Sequence, residues 1–409
     1  MNASLRPILG AELGAFVLAL GYGFGDRWSL ADHPQWASAE LDRTVGAFVD
    51  GEMVATGRNY SVELTLPGDV IVSAGGVSWI TTRPTHRRRG LLTRVMAYLI
   101  TESRDRGEAV SILGASEGGI YPRFGYGVAA RMAKIAVDRS AASIVAPSGL
   151  SPRGTVRLVE ADQSVQAASP LFDRVRRTRV GAVSRPIAWW AEEWAASDWI
   201  DARRRFDVVY EEAGRVEGYA MYALEGEWVD GVSKKVVAVR DFIASSPNAE
   251  AALWQYLFNI DLTVEVVAWN TPLDSPLPWL LSDSRQYRTQ GIRDSLWLRP
   301  ITTERLLASR SYGADGALVL EVTDPFLDLA ETAGRFLVSS GSDGSTCVRT
   351  DRESDLVMDA DALGAISLGG FAPSQLARAS RIAARDQDVL ELADSMFRAD
   401  RDPHTFTWF

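Results

Sequence analysis

Cysteine is almost missing from this 409-residue chain, with Cys347 its single copy. That count excludes an intrachain disulfide framework and a Cys-rich metal site. Histidine is nearly as scarce: His33, His86 and His404 lie far apart, which argues against a His-based metal centre. An excess of positive charge is missing too. The formal net charge is -10, which disfavours nucleic acid and anionic lipid as partners and mildly favours cationic ones. The apolar stretch over residues 13–24 is too short to cross a bilayer. It is bounded by Glu12 and Asp26, and Arg6 is the only strong positive charge ahead of it, unlike a secretory leader. It reads as an amphipathic helix running into a Gly-containing loop, and a cytoplasmic address is the expectation.

The length calls for two or three domains. Residues 44–104 read strand, strand, strand, helix. Asp50-Gly51 marks a tight hairpin between the first two strands, and residues 66–69 mark the next turn. Pro84 stops the third strand. Leu91, Leu92, Val95, Met96, Leu99 and Ile100 then recur at helical spacing. A short buried strand follows at 110–113. Residues 208–268 repeat this order: three strands, a helix over 249–259, another strand. Two copies of one fold is one explanation, and the coincidence any α+β chain can show is the other. Residues 146–154 read as a linker. After Pro300 a smaller α+β unit is expected, with helices at 360–368 and 374–384 and an extended tail from 401 to 409.

The strongest motif is Pro84-Thr85-His86-Arg87-Arg88-Arg89-Gly90-Leu91-Leu92, because it follows a strand and opens a helix. The first turn of a helix leaves backbone N–H groups unpaired at the positive end of the dipole, which suits a pyrophosphate. Gly90 permits close approach, and Arg87 and Arg88 add charge-assisted hydrogen bonds. A solvated basic helix start is the plain alternative, but three arginines at a dipole end that prefers anions are unfavourable without one.

This strand–Arg-Arg-Arg-Gly–helix arrangement resembles the acetyl-CoA loop of GNAT acetyltransferases. Leu92 departs from the usual final small residue. The longer string is similar to that of the Eis (enhanced intracellular survival) subfamily, as is Ala115-Ser116-Glu117-Gly118-Gly119-Ile120-Tyr121-Pro122-Arg123-Phe124-Gly125-Tyr126-Gly127. The resemblance covers the whole chain and implies a mixed α+β fold. That fold has a catalytic GNAT domain (1–147), a GNAT-like domain without the cofactor loop (148–300) and a sterol-carrier-protein-like domain (301–409) whose tail returns to the active site. It implies acetyl-CoA as cosubstrate, no metal, and an amine acceptor: an aminoglycoside, another polyamine-like molecule or a lysine side chain. A homohexamer is the implied assembly, with neither nucleic acid nor membrane as partner.

The same resemblance implies roles. Backbone groups near Ile80 and Thr82 pair with the pantetheine arm. Arg87, Arg88, Gly90 and Leu91 hold the pyrophosphate, and Ser116 lies where the cofactor enters. Tyr121 matches the general acid that protonates the departing thiolate, and Tyr126 is the reserve. Taken alone, Tyr121 reads as a packed aromatic beside Phe124 and Tyr126. The α-carboxylate of Phe409 matches the group that takes a proton from the acceptor amine, and Trp408 stands where relatives often carry an acid. That departure puts aminoglycoside preference in question. Phe24, Asp26, Trp28 and Trp36 mix rings and acid as a cationic amine requires, although a packed helix–loop surface explains them equally. The rival of another class is a non-catalytic acyl-CoA- or lipid-binding protein, which needs neither Tyr121 nor the terminal Phe409.

Overall fold

In the computed structural model the described residues are 3–31, 36, 39–145, 150, 152–186, 189–190 and 205–409. Strand β1 (Ser4–Pro7) leads into helix α1 (Leu13–Phe24). The helix stops at Gly25, whose left-handed φ of 87° is a C-terminal cap only glycine adopts cheaply. β2 (Thr44–Val49) and β3 (Glu52–Leu66) are joined by Asp50 and Gly51 at φ 50° and 82°, the left-handed pair that fits a twisted hairpin. β4 (Val70–Thr82) returns antiparallel to β3. Helix α2 (Leu91–Asp105) then carries the chain to β5 (Val110–Leu113), parallel to β4. Leu91, Val95, Met96, Leu99 and Ile100 are all buried, so the helical periodicity marks the packed face.

Two compact units result: Met1–Ala130 with Asp294–Phe409, and Arg131–Arg293. The first is discontinuous because Trp297, Leu298, Arg299 and Pro300 pair antiparallel with β5. Arg299 is fully buried there. Its Nη1 donates to Phe124 O at 2.7 Å and its Nη2 to Asp324 Oδ2 at 2.6 Å. One ion pair thus ties the sheet around β5 to the C-terminal region. Removing one partner of such a pair strands a buried charge, costing about 3–5 kcal/mol. Asp324→Ala is therefore expected to lower the melting temperature by roughly 10 °C, measurable by calorimetry, whereas an unchanged transition refutes this role.

The C-terminal part of the first unit holds a five-stranded sheet in the order Gly344–Arg349, Gly334–Gly341, Gly316–Thr323, Leu356–Asp359, Ile382–Ala384. The helix expected over 374–384 ends at Arg378, because Ser380 takes a left-handed φ of 59° and Ile382–Ala384 pairs with Leu356–Asp359 instead. A further helix, Gln387–Phe397, is capped by the Asp386 side chain and buries Val389, Ala393, Met396 and Phe397. Its spacing of four, three and one was available in the sequence.

The second unit repeats the order of the first. Strands Arg205–Glu212, Arg215–Glu225 and Lys235–Ala244 are antiparallel neighbours, and helix Pro247–Phe258 crosses to Thr263–Thr271, parallel to Lys235–Ala244. Two copies of one fold, rather than coincidence, explain the echo. The expected linker falls mainly on residues outside those described.

Candidate active site

β4 and β5 part company early. Their ladder covers only Ala74–Val110, Gly75–Ser111 and Gly76–Ile112, while β4 runs on to Thr82. Across residues 77–82, β4 keeps β3 as its partner, but its register slips between Thr56 and Arg58. The extra residue is Trp79, held at a φ of 55°, a costly conformation for a bulky side chain. Thr56 Oγ1 donates to Trp79 O at 2.9 Å and Trp79 Nε1 to Tyr60 Oη at 2.6 Å. A bulge of this kind re-aims a strand and ends pairing, so the parting of β4 from β5 has a local cause. Nothing in the sequence marked Trp79.

The predicted cofactor residues cluster at the end of β4. The Ile80 side chain packs against the core under α2. Arg87 Nε donates to Thr82 O at 3.3 Å and its Nη2 to Gly23 O at 3.2 Å, which ties the loop to the end of α1. Arg88 is exposed, takes a φ of 62°, and has no ion-pair partner among the described residues. Gly90, at φ 77°, is the N-cap of α2, with no side-chain cap and no acidic residue in the first turn. Leu91 is in the core, leaving its backbone as the contribution to that turn. The equivalent helix of the second unit is closed: the Ser246 side chain accepts from Ala249 N, Pro247 follows it, and residues 244–250 include no basic side chain.

β5 runs into Gly114, and Ser116, exposed, comes two residues later. Ser116 lies close to Tyr121, whose ring packs 6.2 Å from Tyr126 and 6.4 Å from Trp297. Burial raises the Tyr121 phenol above its ordinary value, the Glu117 carboxylate adds to the rise, and Ser116 opposes it. Tyr126 is completely buried, bonded to Ser111 Oγ at 2.7 Å, and burial raises its phenol as well. Of the two, Tyr121 is the one beside a solvent-facing residue.

The C-terminal tail reaches the place where β4 and β5 separate. A methyl group on Gly76 would sit 3.1 Å from Phe409 Cε2, and one on Gly114 would lie 3.6 Å from both Phe409 O and Trp408 Cζ2. The Phe409 ring stands edge-on to Tyr60 at 6.2 Å. The residues most deeply buried in the tail are His404, Thr405 and Thr407, not its aromatics: Phe406, Trp408 and Phe409 are only partly covered.

The expected acceptor residues divide. Phe24, 52% exposed, stacks on Trp28 at 5.6 Å. Asp26 is exposed and accepts from Arg27 N. Trp28 stands edge-on to Trp79 at 6.3 Å. Trp36 is buried between Phe16 and Trp79, with ring centroids at 5.5 and 4.9 Å, a wall behind the pocket more than a surface of it. His33 lies outside the described residues.

Among the described residues no group of three His, Cys, Asp or Glu side chains could hold a metal ion, and no helix is long and apolar enough to cross a membrane. Comparison with known proteins agrees with the geometry. Residues 4–129 and 181–300 each match an acetyltransferase (GNAT) domain model, and 303–405 a sterol carrier protein domain model. The chain is 35% identical over 423 residues to an uncharacterized N-acetyltransferase of Streptomyces avermitilis, covering 98% of this chain and 97% of that one. It is 34% identical over 363 residues to the N-acetyltransferase Eis of Mycobacterium tuberculosis, covering 87% and 85%. The crystal structure of Eis1 from Mycobacterium abscessus superposes with a TM-score of 0.87 at 31% identity, over 99% of this chain and 100% of that one. A parted β4–β5 pair, an Arg-rich helix start and two GNAT folds followed by a sterol-carrier domain therefore belong together: this chain is a member of the Eis-type GNAT N-acetyltransferase family.

Proposed function

We propose that the chain transfers the acetyl group of acetyl-CoA directly to an amine of a cationic small molecule or a lysine side chain, with aminoglycosides and polyamine-like compounds as candidate acceptors. The observation that carries this reading is the placement of Phe409 and Trp408 at the parting of β4 and β5, in a unit that also holds an uncapped, arginine-preceded helix start. Acetyl-CoA supplies an activated thioester. Arg87, Arg88 and the backbone at Gly90 and Leu91 hold its pyrophosphate, and main-chain groups near Ile80 and Thr82, with Ser116 at the entry, take its pantetheine arm. The Phe409 α-carboxylate takes a proton from the acceptor amine, whose nitrogen forms the new bond to the acetyl carbon. The carbon–sulfur bond breaks, and Tyr121 gives its proton to the leaving thiolate. Phe24, Asp26, Trp28 and Trp408 border the acceptor, with Trp36 packed behind them.

Catalysis in this reading is confined to residues 1–147 and the tail of 301–409. Residues 148–300, with their self-capped helix, bind no cofactor. A homohexamer in the cytoplasm is the assembly we assign from family resemblance.

The cofactor assignment is tested at Arg88, because its side chain has no ion-pair partner to lose among the described residues. Each charge-assisted hydrogen bond contributes about 1.5–3 kcal/mol. Arg88→Ala is expected to raise the Kd for acetyl-CoA by roughly 10–100-fold without moving the melting temperature. Arg87→Ala adds to the loss but also frees Thr82 O and Gly23 O. Calorimetry showing wild-type affinity in the double variant removes the loop from the cofactor site.

A further inference from the structure

One buried charge is left unexplained by acetyl transfer. Arg58 is 4% exposed and pairs across the sheet with Ser78, beside the Trp79 bulge. Side chains alternate along β3. Gly57 and Asn59 face α2, where Asn59 Nδ2 donates to Leu99 O and a methyl group on Gly57 would meet Val95. Arg58 and Tyr60 therefore face the opposite side, that of the tail and the acceptor segment. The guanidinium carbon lies 4.1 Å over the Tyr60 ring and 5.5 Å from the Trp36 ring. Its Nε is buried without a hydrogen-bond partner, and no ion pair reaches it among the described residues.

The other buried arginines make the contrast. Arg43 holds Glu108 and Glu102, Arg176 Asp173, Arg179 Asp274, Arg185 Asp241 and Arg299 Asp324. Arg310 donates to the carbonyls of Ile366, Ser367 and Phe397. Burying a cation without a counter-charge is costly, and ring faces offset only part of that cost. Tyr60 in turn touches the Phe409 ring and accepts from Trp79, so the unpaired charge lines the same aromatic wall as the tail.

We propose that Arg58 binds a carboxylate of the acceptor, so that the substrate class is an amino acid-like molecule with an amine toward Phe409 and a carboxylate toward Arg58. A planar guanidinium between rings presents its N–H edge, the match for a flat carboxylate. This rests on the acetyl-transfer reading and narrows it, away from acceptors that are purely cationic.

The test compares matched pairs as acceptors with the full-length enzyme and acetyl-CoA, following thiol release: β-alanine, γ-aminobutyrate and L-phenylalanine, each against its carboxamide. At least one carboxylate is expected to exceed its carboxamide in kcat/KM by roughly 10–100-fold, mostly through KM, and the ratio is expected to collapse to about one in Arg58→Gln. A ratio near one in the wild type, or one unchanged in the variant, overturns the proposal. Arg58→Met separates binding from folding: its melting temperature is expected to equal or exceed that of the wild type, and a fall of more than about 5 °C assigns Arg58 to the fold instead. Calorimetric titration of the same pairs without acetyl-CoA reads Arg58 independently of catalysis. A retained preference for carboxylate with no acetyl transfer strikes the transfer reading alone, and no preference in either assay strikes Arg58.

Discussion

A single glycine added after Phe409 is expected to reduce acetyl transfer by roughly 10²–10⁴-fold, the range of a lost general base, in a protein that folds and binds acetyl-CoA normally. The extension keeps every aromatic ring of the tail and displaces only the carboxylate. Phe409 O lies against Gly114, and the ring against Gly76, so the carboxyl group of a chain ending there is at the mouth between β4 and β5. Deleting Phe409 removes ring and position together, and a loss in that variant alone would not separate packing from proton transfer. The ordinary α-carboxyl pKa, about 3.3–3.7, makes a weak base in open water, so the fit of the tail has to supply the difference. Normal turnover by the extended enzyme makes the tail a structural plug and leaves proton removal to solvent.

Tyr121→Phe is expected to lower kcat by roughly 10²–10⁴-fold with little change in the Kd for acetyl-CoA. Only the hydroxyl is lost, and the ring contacts with Tyr126 and Trp297 remain. The direction of the phenol's shift sets the pH behaviour. Because burial and Glu117 raise it above about 10, the neutral, proton-donating form persists through the neutral and moderately alkaline range. The wild type should then show no alkaline loss of kcat from this group below about pH 10. A Tyr121→Phe enzyme with wild-type kcat from about pH 6 to about pH 9 moves the role to Tyr126 or to water.

Much of the frame was legible because it depends on local chemistry. Asp50-Gly51 can make only a narrow set of turns, and it makes one of them. The face of α2 is periodic over four turns and is buried as that period requires. The helix start at Gly90 could be read as an anion site because three arginines precede a turn whose N–H groups are unpaired, whereas the closing of the second unit's helix by Ser246 came from the structure. The interior of the site was less legible. Trp79 becomes a bulge through a mismatch of one residue between β3 and β4, which only their pairing fixes. Arg58 in an alternating strand reads as a solvated charge, and its burial comes from Tyr60 and Trp36, one of them distant in sequence. Gly76 and Gly114 carry no motif, and their value lies in making room for a residue hundreds of positions later. Trp36 was grouped with the acceptor on composition, yet Phe16 claims one of its faces.

The discontinuity of the first unit bears on how the protein is made. β5 is complete at Leu113, but the strand that flanks it begins its pairing at Trp297. At about 5–20 residues per second, translation takes roughly 10–40 s to cover that interval. Throughout it the nascent chain displays one side of a fully buried strand with its backbone groups unmatched, the kind of edge that recruits other strands. The strands between Arg131 and Arg293 can meanwhile pair among themselves. Residues 131–293 are therefore expected to finish folding first, and recombinant fragments cut near residue 130 to keep the open edge.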